Sequence, residues 1–134
     1  MKILRASDIV LIKLPNIKLT IQPLTYAKRL EMGRFITVKN GEEVNNYAQS
    51  MMFLVQNTVK SVELEGEDVP LEFKEGEMTE DSLTDLMGIL EGNTEAYKNI
   101  ATFSAAAGKK IPSIADPLTG EKIEGVEVEI LPKK

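Results

Sequence analysis

The side chains able to do chemistry in this chain are carboxylates, amines and hydroxyls. Histidine, cysteine and tryptophan are absent. Their absence removes the imidazole base, the thiol nucleophile, the Ser-His-Asp triad, and the zinc or iron–sulfur sites built from thiolate and imidazole. Oxygen ligands remain, and they are densest at residues 63–85, where ten acids face Lys74 alone. Such a run is a candidate for Ca²⁺ or Mg²⁺. It lacks the EF-hand spacing of alternate acids, a glycine and a distal glutamate, and on strands alternate acids face solvent. Glu42-Glu43 would serve as an acid–base pair only inside a cleft, and reads more simply as acids at a helix start. Asp116-Pro117-Leu118-Thr119-Gly120-Glu121 is turn chemistry, and Gly108-Lys109-Lys110 lacks the preceding glycine of a phosphate-binding loop. The expectation is a non-enzymatic chain with no catalytic residue, metal or cofactor.

The elements that would position these residues follow from hydrophobic periodicity. The 134 residues fit one domain, and a 43% hydrophobic content permits a core. Ile9-Val10-Leu11-Ile12 is a β-branched run ending near Pro15-Asn16, and Ile17, Leu19 and Ile21 then alternate with polar residues. This predicts an N-terminal strand pair, with Pro15 excluding a type I′ turn between the strands. Thr25 is a helix cap, followed by a helix reaching Ile36 or Val38 and broken at Asn40-Gly41. Val44, Tyr47, Ala48, Met51, Met52, Val55 and Val59 share a helical stripe, predicting a long central helix from about Glu42 to Lys60 with that stripe inward.

Period two returns at Val62 and Leu64, and again at Val69, Leu71 and Phe73, with Glu65-Gly66-Glu67-Asp68 as the turn. Pro70 places the returning strand at a sheet edge. Thr79 and then Asn93 or Thr94 begin two helices that end at Gly92 and Gly108, predicting a C-terminal helical hairpin. Ile123, Val126, Val128 and Ile130 would form one late strand with Glu127 and Glu129 outward. The fold class expected is α+β with a mainly antiparallel sheet. Residues 1–108 form the single domain, and 109–134 an extension, partly extended or mobile.

Charge is uneven along the chain. Residues 1–40 hold eight bases and two acids, in contrast to the acidic run at 63–85. Opposed halves favour head-to-tail contact between copies, so a homo-oligomer is expected. The bases are too scattered for a nucleic-acid surface. No apolar run approaches the ~20 residues of a membrane helix, and Met1-Lys2-Ile3-Leu4-Arg5 is too short and charged for a secretory signal. A cytoplasmic setting without nucleic-acid or membrane partners follows as an expectation.

Phe53 lies opposite the stripe, beside Asn46, Gln49, Asn57 and Lys60. Either another element of the chain covers it, or it is an aromatic anchor for a partner. Met51 and Met52 add adaptable apolar surface. The partner-binding residues expected are Phe53, Met51, Met52, Met32 and Phe35.

The order of segments carries a resemblance. The strand pair Ile9–Ile21 leads through QPLTYAKRLEM into helices, MMFLVQNTVKSVELEGEDVPLEF runs from helix into a strand pair, and MTEDSLTDLMGIL opens the helical finish. Over residues 8–105 this resembles phage tail assembly chaperones. It is also similar to small baseplate assembly factors, which share the strand pair ending in Leu-Pro and the helix start after it. The resemblance implies a non-enzymatic protein of the host cytoplasm that binds the tape measure protein, helps recruit tail tube subunits, often self-associates, and is absent from the finished particle. A structural or baseplate component of a phage tail is the alternative. An acidic mimic of nucleic acid would need its carboxylates arrayed at the spacing of duplex phosphates.

Overall fold

β-Branched residues with period two can satisfy their backbone only in a ladder, and they bury one face by packing something over it. In the computed structural model, which describes residues 3–112 and 126–131, the chain does this with a five-stranded sheet. Strands β1 (Ile9–Lys13) and β2 (Ile17–Ile21) form its centre. Strand β5 (Val59–Leu64) pairs with β2, β6 (Glu67–Val69) with β5, and β9 (Glu127–Leu131) with β1, giving the order β6-β5-β2-β1-β9. Every pairing is antiparallel. The molecule is therefore mixed α+β.

Register shows why one face is dry. Val10 stands opposite Ile21 and Ile130, Ile12 opposite Leu19 and Val128, and Leu19 opposite Val62. Directly opposed residues point the same way, so these side chains make one apolar face. Leu86, Leu90, Ile100 and Phe103, from two helices laid over that face, complete the main core. Lys18 stands opposite Glu63 and Lys13 opposite Glu127 on the wet face, where Lys13 also reaches Glu129 at 3.9 Å. Pro70 follows β6 at the sheet edge, as its missing N–H requires. Between β1 and β2 the Leu14 N–H donates to the Ile17 carbonyl at 2.8 Å, and neither Pro15 nor Asn16 has a positive φ.

The helices begin where side-chain oxygens can accept from orphan N–H groups. Thr25 accepts from Lys28 N–H to open α1 (Tyr26–Glu31), which runs into a short 3₁₀ turn at Met32–Phe35. Thr79 accepts from Ser82 N–H at the start of α3 (Glu80–Leu90), and Asn93 from Ala96 N–H at the start of α4 (Thr94–Ser104).

The segment 36–60 departs from expectation. The helix expected after Thr25 ends at the 3₁₀ turn, and β3 (Ile36–Lys39) pairs with β4 (Glu42–Asn45) as a separate hairpin. Its turn residues, Asn40 at φ 54° and Gly41 at φ 79°, give the left-handed pair that a two-residue hairpin needs. The expected helix over 42–60 is shortened at both ends. Asn46 is its cap rather than an interior residue: its side chain accepts from Gln49 N–H, and α2 spans Tyr47–Thr58. At the other end Val59 turns to extended backbone and enters β5. Glu42 and Glu43 accordingly lie on exposed β4, not at a helix start. A further hairpin, β7 (Phe73–Lys74) with β8 (Glu77–Met78), turns at Glu75-Gly76 and replaces the expected continuous strand from Val69 to Phe73.

Candidate functional site

Helix α2 carries a broad apolar stripe and, among the amides on its other side, Phe53, so it must meet neighbours on more than one side. Its buried residues are Ser50, Phe53, Leu54, Val55 and Thr58. The stripe expected to face inward does so only from Val55 onward. Val44, Tyr47 and Met52 are 47%, 75% and 44% exposed, which corrects their assignment to the core. The inward face is rotated because Phe53 and Leu54 are drawn to the opposite side. There they join Leu24 in a small second cluster, with Met32, Phe35, Met51 and Ala101 packed against it. Polar groups on the same side are satisfied locally: Thr58 Oγ1 donates to the Leu54 carbonyl at 2.6 Å, and Asn57 Nδ2 to that of Phe53 at 2.8 Å.

Phe53 is thus not an exposed anchor. It is 7% exposed, and Phe35 from the 3₁₀ turn meets it edge-on, centroids 5.6 Å apart at 61°. The Arg34 guanidinium lies 5.2 Å from the Phe53 ring centre and 4.8 Å from that of Phe35, and Lys28 Nζ lies 5.9 Å from Phe53. These cations sit where the negative ring faces attract them. Of the five residues expected to bind a partner, Phe53, Phe35, Met32 and Met51 meet in this cluster. Met52 stands apart from it and exposed, on the other side of the helix, which Met51 also reaches.

That other side forms an apolar groove. Tyr47, Ala48, Met51 and Met52 of α2 face Leu83, Thr84 and Met87 of α3 and Tyr97 of α4 across a volume of about 500 Å³. Thr84 Oγ1 donates to the Glu80 carbonyl at 3.0 Å, so even this hydroxyl is engaged within its own helix. Burial raises the Tyr97 phenol above its ordinary pKa of 10.0, and the negative charge of Glu91 adds to the rise. Helix α2 carries no charged residue, whereas residues 80–97 carry Glu80, Asp81, Asp85, Glu91 and Glu95 and no base. The result is a methionine- and tyrosine-lined surface on an acidic segment. Such linings hold apolar side chains of variable shape.

The helical spacing of Leu83, Leu86, Met87 and Leu90 predicts an inward stripe, and Leu83 does lie in the main core with Met87 packed against it; Tyr97 and Thr84 are not among the expected site residues. The available signal was the excess of apolar positions on α2, more than one buried face can use. The acidic run spreads over β5, β6, β7, β8 and the start of α3. Among the described residues no group of three or more acids is placed to hold a metal ion. Asp116–Glu121 lies outside the described residues. Among the described residues, no helix is long and apolar enough to cross a membrane. Compared with protein-family models, curated proteins and solved structures, the chain finds no match.

Proposed function

We propose that this chain is a non-enzymatic phage tail assembly chaperone, acting in the host cytoplasm by holding the tape measure protein and bringing tail tube subunits to it. The observation that carries the reading is the groove between α2, α3 and α4. It is apolar, open and lined by three helices, as a surface that grips the apolar face of another helix should be. Its methionines can repack around successive turns of a long helical client. The lining offers phenols, a hydroxyl and thioethers, which suit binding better than bond making.

The test is co-expression with the tape measure protein of the same tail. The wild-type chain is expected to keep that protein in the supernatant and to co-purify with it, and Met52→Lys, a change at an exposed position, to lose both. A tape measure protein that stays insoluble with the wild-type chain rejects the reading. The projecting β3–β4 hairpin favours one other role, a structural or baseplate component, since such an arm can be built into a particle. Finding the chain in purified virions by immunoblot would select that role.

A further inference from the structure

A second cleft lies between the N-terminal segment, α1 and the end of α4, and it shares no lining residue with the groove. Leu4 N–H donates to the Lys109 carbonyl at 2.9 Å, and Gly108 N–H to the Leu4 carbonyl at 2.7 Å, which ties the N-terminal segment to the chain leaving α4. Arg29 of α1 reaches the same place, its Nη1 donating to the Ala105 carbonyl at 3.2 Å. These contacts frame a volume of about 630 Å³, with Ile3, Arg5, Ser7, Tyr26, Arg29 and Gly108 on its wall. That is the size of a small-molecule site.

The hydrogen bonding around this cleft is one-sided. Its carbonyls are spent within the fold: Leu4 accepts from Gly108, Arg5 from Asp8 N–H at 3.0 Å, Ala6 from Gln22 Nε2 at 3.1 Å, and Ala105 from Arg29. The neighbouring acids are spent as well. Asp8 is buried and accepts from Arg5 N–H at 2.9 Å, and Glu31 pairs with Lys28 at 3.3 Å. The donors are left over. The charged side chains on the wall are Arg5 and Arg29, and neither has an ion pair among the described residues. Arg29 is held by the Ala105 carbonyl and by the Tyr26 ring, whose centre lies 5.6 Å from the guanidinium carbon. Its Nε is buried without a partner, and its Nη2 has no acceptor among the described residues. The Ser7 and Tyr26 hydroxyls add two further donors.

We propose that this cleft binds a small phosphate monoester, with the phosphoryl group on Arg5 and Arg29 and the organic body against Ile3, Leu4 and Ala107. Donors without acceptors call for an anion, and guanidinium groups pair with phosphate through parallel hydrogen bonds. A phosphate monoester carries close to two negative charges at neutral pH and three strong acceptor oxygens. Two guanidiniums and two hydroxyls match it in charge and in number, whereas a carboxylate offers one charge and two oxygens. The cleft is larger than an inorganic ion fills, and its apolar wall gives an organic body something to cover.

The test is calorimetric titration of the full chain with phenyl phosphate, inorganic phosphate and benzoate. Saturable one-to-one binding of phenyl phosphate is expected, tighter than that of either other probe. Arg5→Gln should raise its dissociation constant about tenfold or more, the loss of charge-assisted hydrogen bonds. Arg5 is exposed, so this variant should melt as the wild type does. Tyr26→Phe should raise the constant about threefold, the loss of one neutral donor. Lys18→Gln removes the same charge from the wet face of the sheet and should bind as the wild type does. No saturation at millimolar phenyl phosphate overturns the proposal, as does an Arg5→Gln chain that binds unchanged. A loss in Lys18→Gln equal to that in Arg5→Gln shows general attraction to a basic surface and overturns it too. Benzoate binding as tightly as phenyl phosphate overturns the choice of phosphate, and inorganic phosphate doing so overturns the role of the organic body. Capture of the tape measure protein is read on the groove, so each of these results leaves that reading as it stands.

Discussion

Ile9-Val10-Leu11-Ile12-Lys13 and Ile36-Thr37-Val38-Lys39 are both β-branched strands that end on lysine and turn back into a partner strand. In the first, Val10 and Ile12 are fully buried, whereas in the second every residue is exposed. Intrinsic strand preference is the same, so the neighbours decide. β1 has β2 on one side, β9 on the other and helices above, whereas β3 has β4 alone. Apolar strand content therefore reports a surface that must be covered, and leaves open whether the chain itself covers it. In the hairpin it does not, and that is where an interaction surface belongs.

The contrast is broken most directly by truncation. Ile12→Ala is expected to destabilise the fold by about 2–5 kcal/mol, because the side chain is 0% exposed and leaves a cavity in a sheet centre that cannot collapse. Val38→Ala, in the hairpin, should stay within about ±0.5 kcal/mol. Chemical denaturation of both variants at a concentration where the chain is monomeric is the measurement. Equal losses would mean the hairpin is part of the cooperative core.

Phe53 tests the region between these extremes. It belongs to the small cluster that fastens the 3₁₀ turn to α2. Phe53→Ala should cost about 3 kcal/mol, the lower end for a buried phenylalanine, since the ring is 7% exposed and its neighbours Met32 and Met51 can shift into the space. A double-mutant cycle with Phe35→Ala should show about 0.5–1.5 kcal/mol of coupling from the edge-to-face pair. A melting temperature unchanged by Phe53→Ala would restore it as a surface anchor.

What the sequence conveys divides along the same line. The alternation in Ile17-Lys18-Leu19-Thr20-Ile21, the caps at Thr25, Thr79 and Asn93, and the edge position of Pro70 are local signals, each legible from a few neighbouring residues alone. Val128 and Ile130 with Glu127 and Glu129 between them read as a strand, and β9 forms there, although Ile123 lies outside the described residues. The hairpin at 36–45 is illegible to helical periodicity because Val44 happens to continue backwards the spacing that Tyr47 and Ala48 begin in α2. Asn40-Gly41 marks the break, but only the pairing of Val38 with Glu43 shows that the chain returns along itself. The groove is harder still. Met52, Met87 and Tyr97 come from three helices, and no local pattern shows which apolar stripe stays uncovered when α2 has two.

Glycine substitution sharpens the comparison at lower energy. Gly66 in the β5–β6 turn has φ 83° and Gly41 in the hairpin turn φ 79°, and a Cβ at either meets nothing within 4 Å. Alanine at each position therefore suffers the same backbone penalty, roughly 1–2 kcal/mol for the left-handed conformation. Gly66→Ala should lower global stability by that amount, because β5 and β6 belong to the main sheet. Gly41→Ala should leave it unchanged and speed hydrogen exchange of the β3–β4 amides, since the hairpin opens locally. Equal global losses would show that the hairpin folds with the sheet.

The smallest effect expected is also the one that reads the groove directly. Tyr97 lies on its wall, and its phenol is held neutral above the ordinary pKa of 10.0, first by burial and then by Glu91. A raised folded-state pKa means that the unfolded chain loses the proton first. The associated stability is fully present below pH 10 and is lost as pH rises through the folded value. Unfolding midpoints measured through this window should therefore fall more steeply for the wild type than for Tyr97→Phe, which has no proton to lose. Glu91→Gln should narrow the window without closing it, because burial remains when the charge is gone. A client helix that covers the groove would bury the phenol further and should move its titration higher. The ultraviolet difference spectrum between wild type and Tyr97→Phe then follows occupancy without a label. A phenol that titrates at or below the ordinary value in the folded chain would mean that the groove wall is open water, and the contrast between a covered sheet and a surface awaiting cover would lose its best-placed witness.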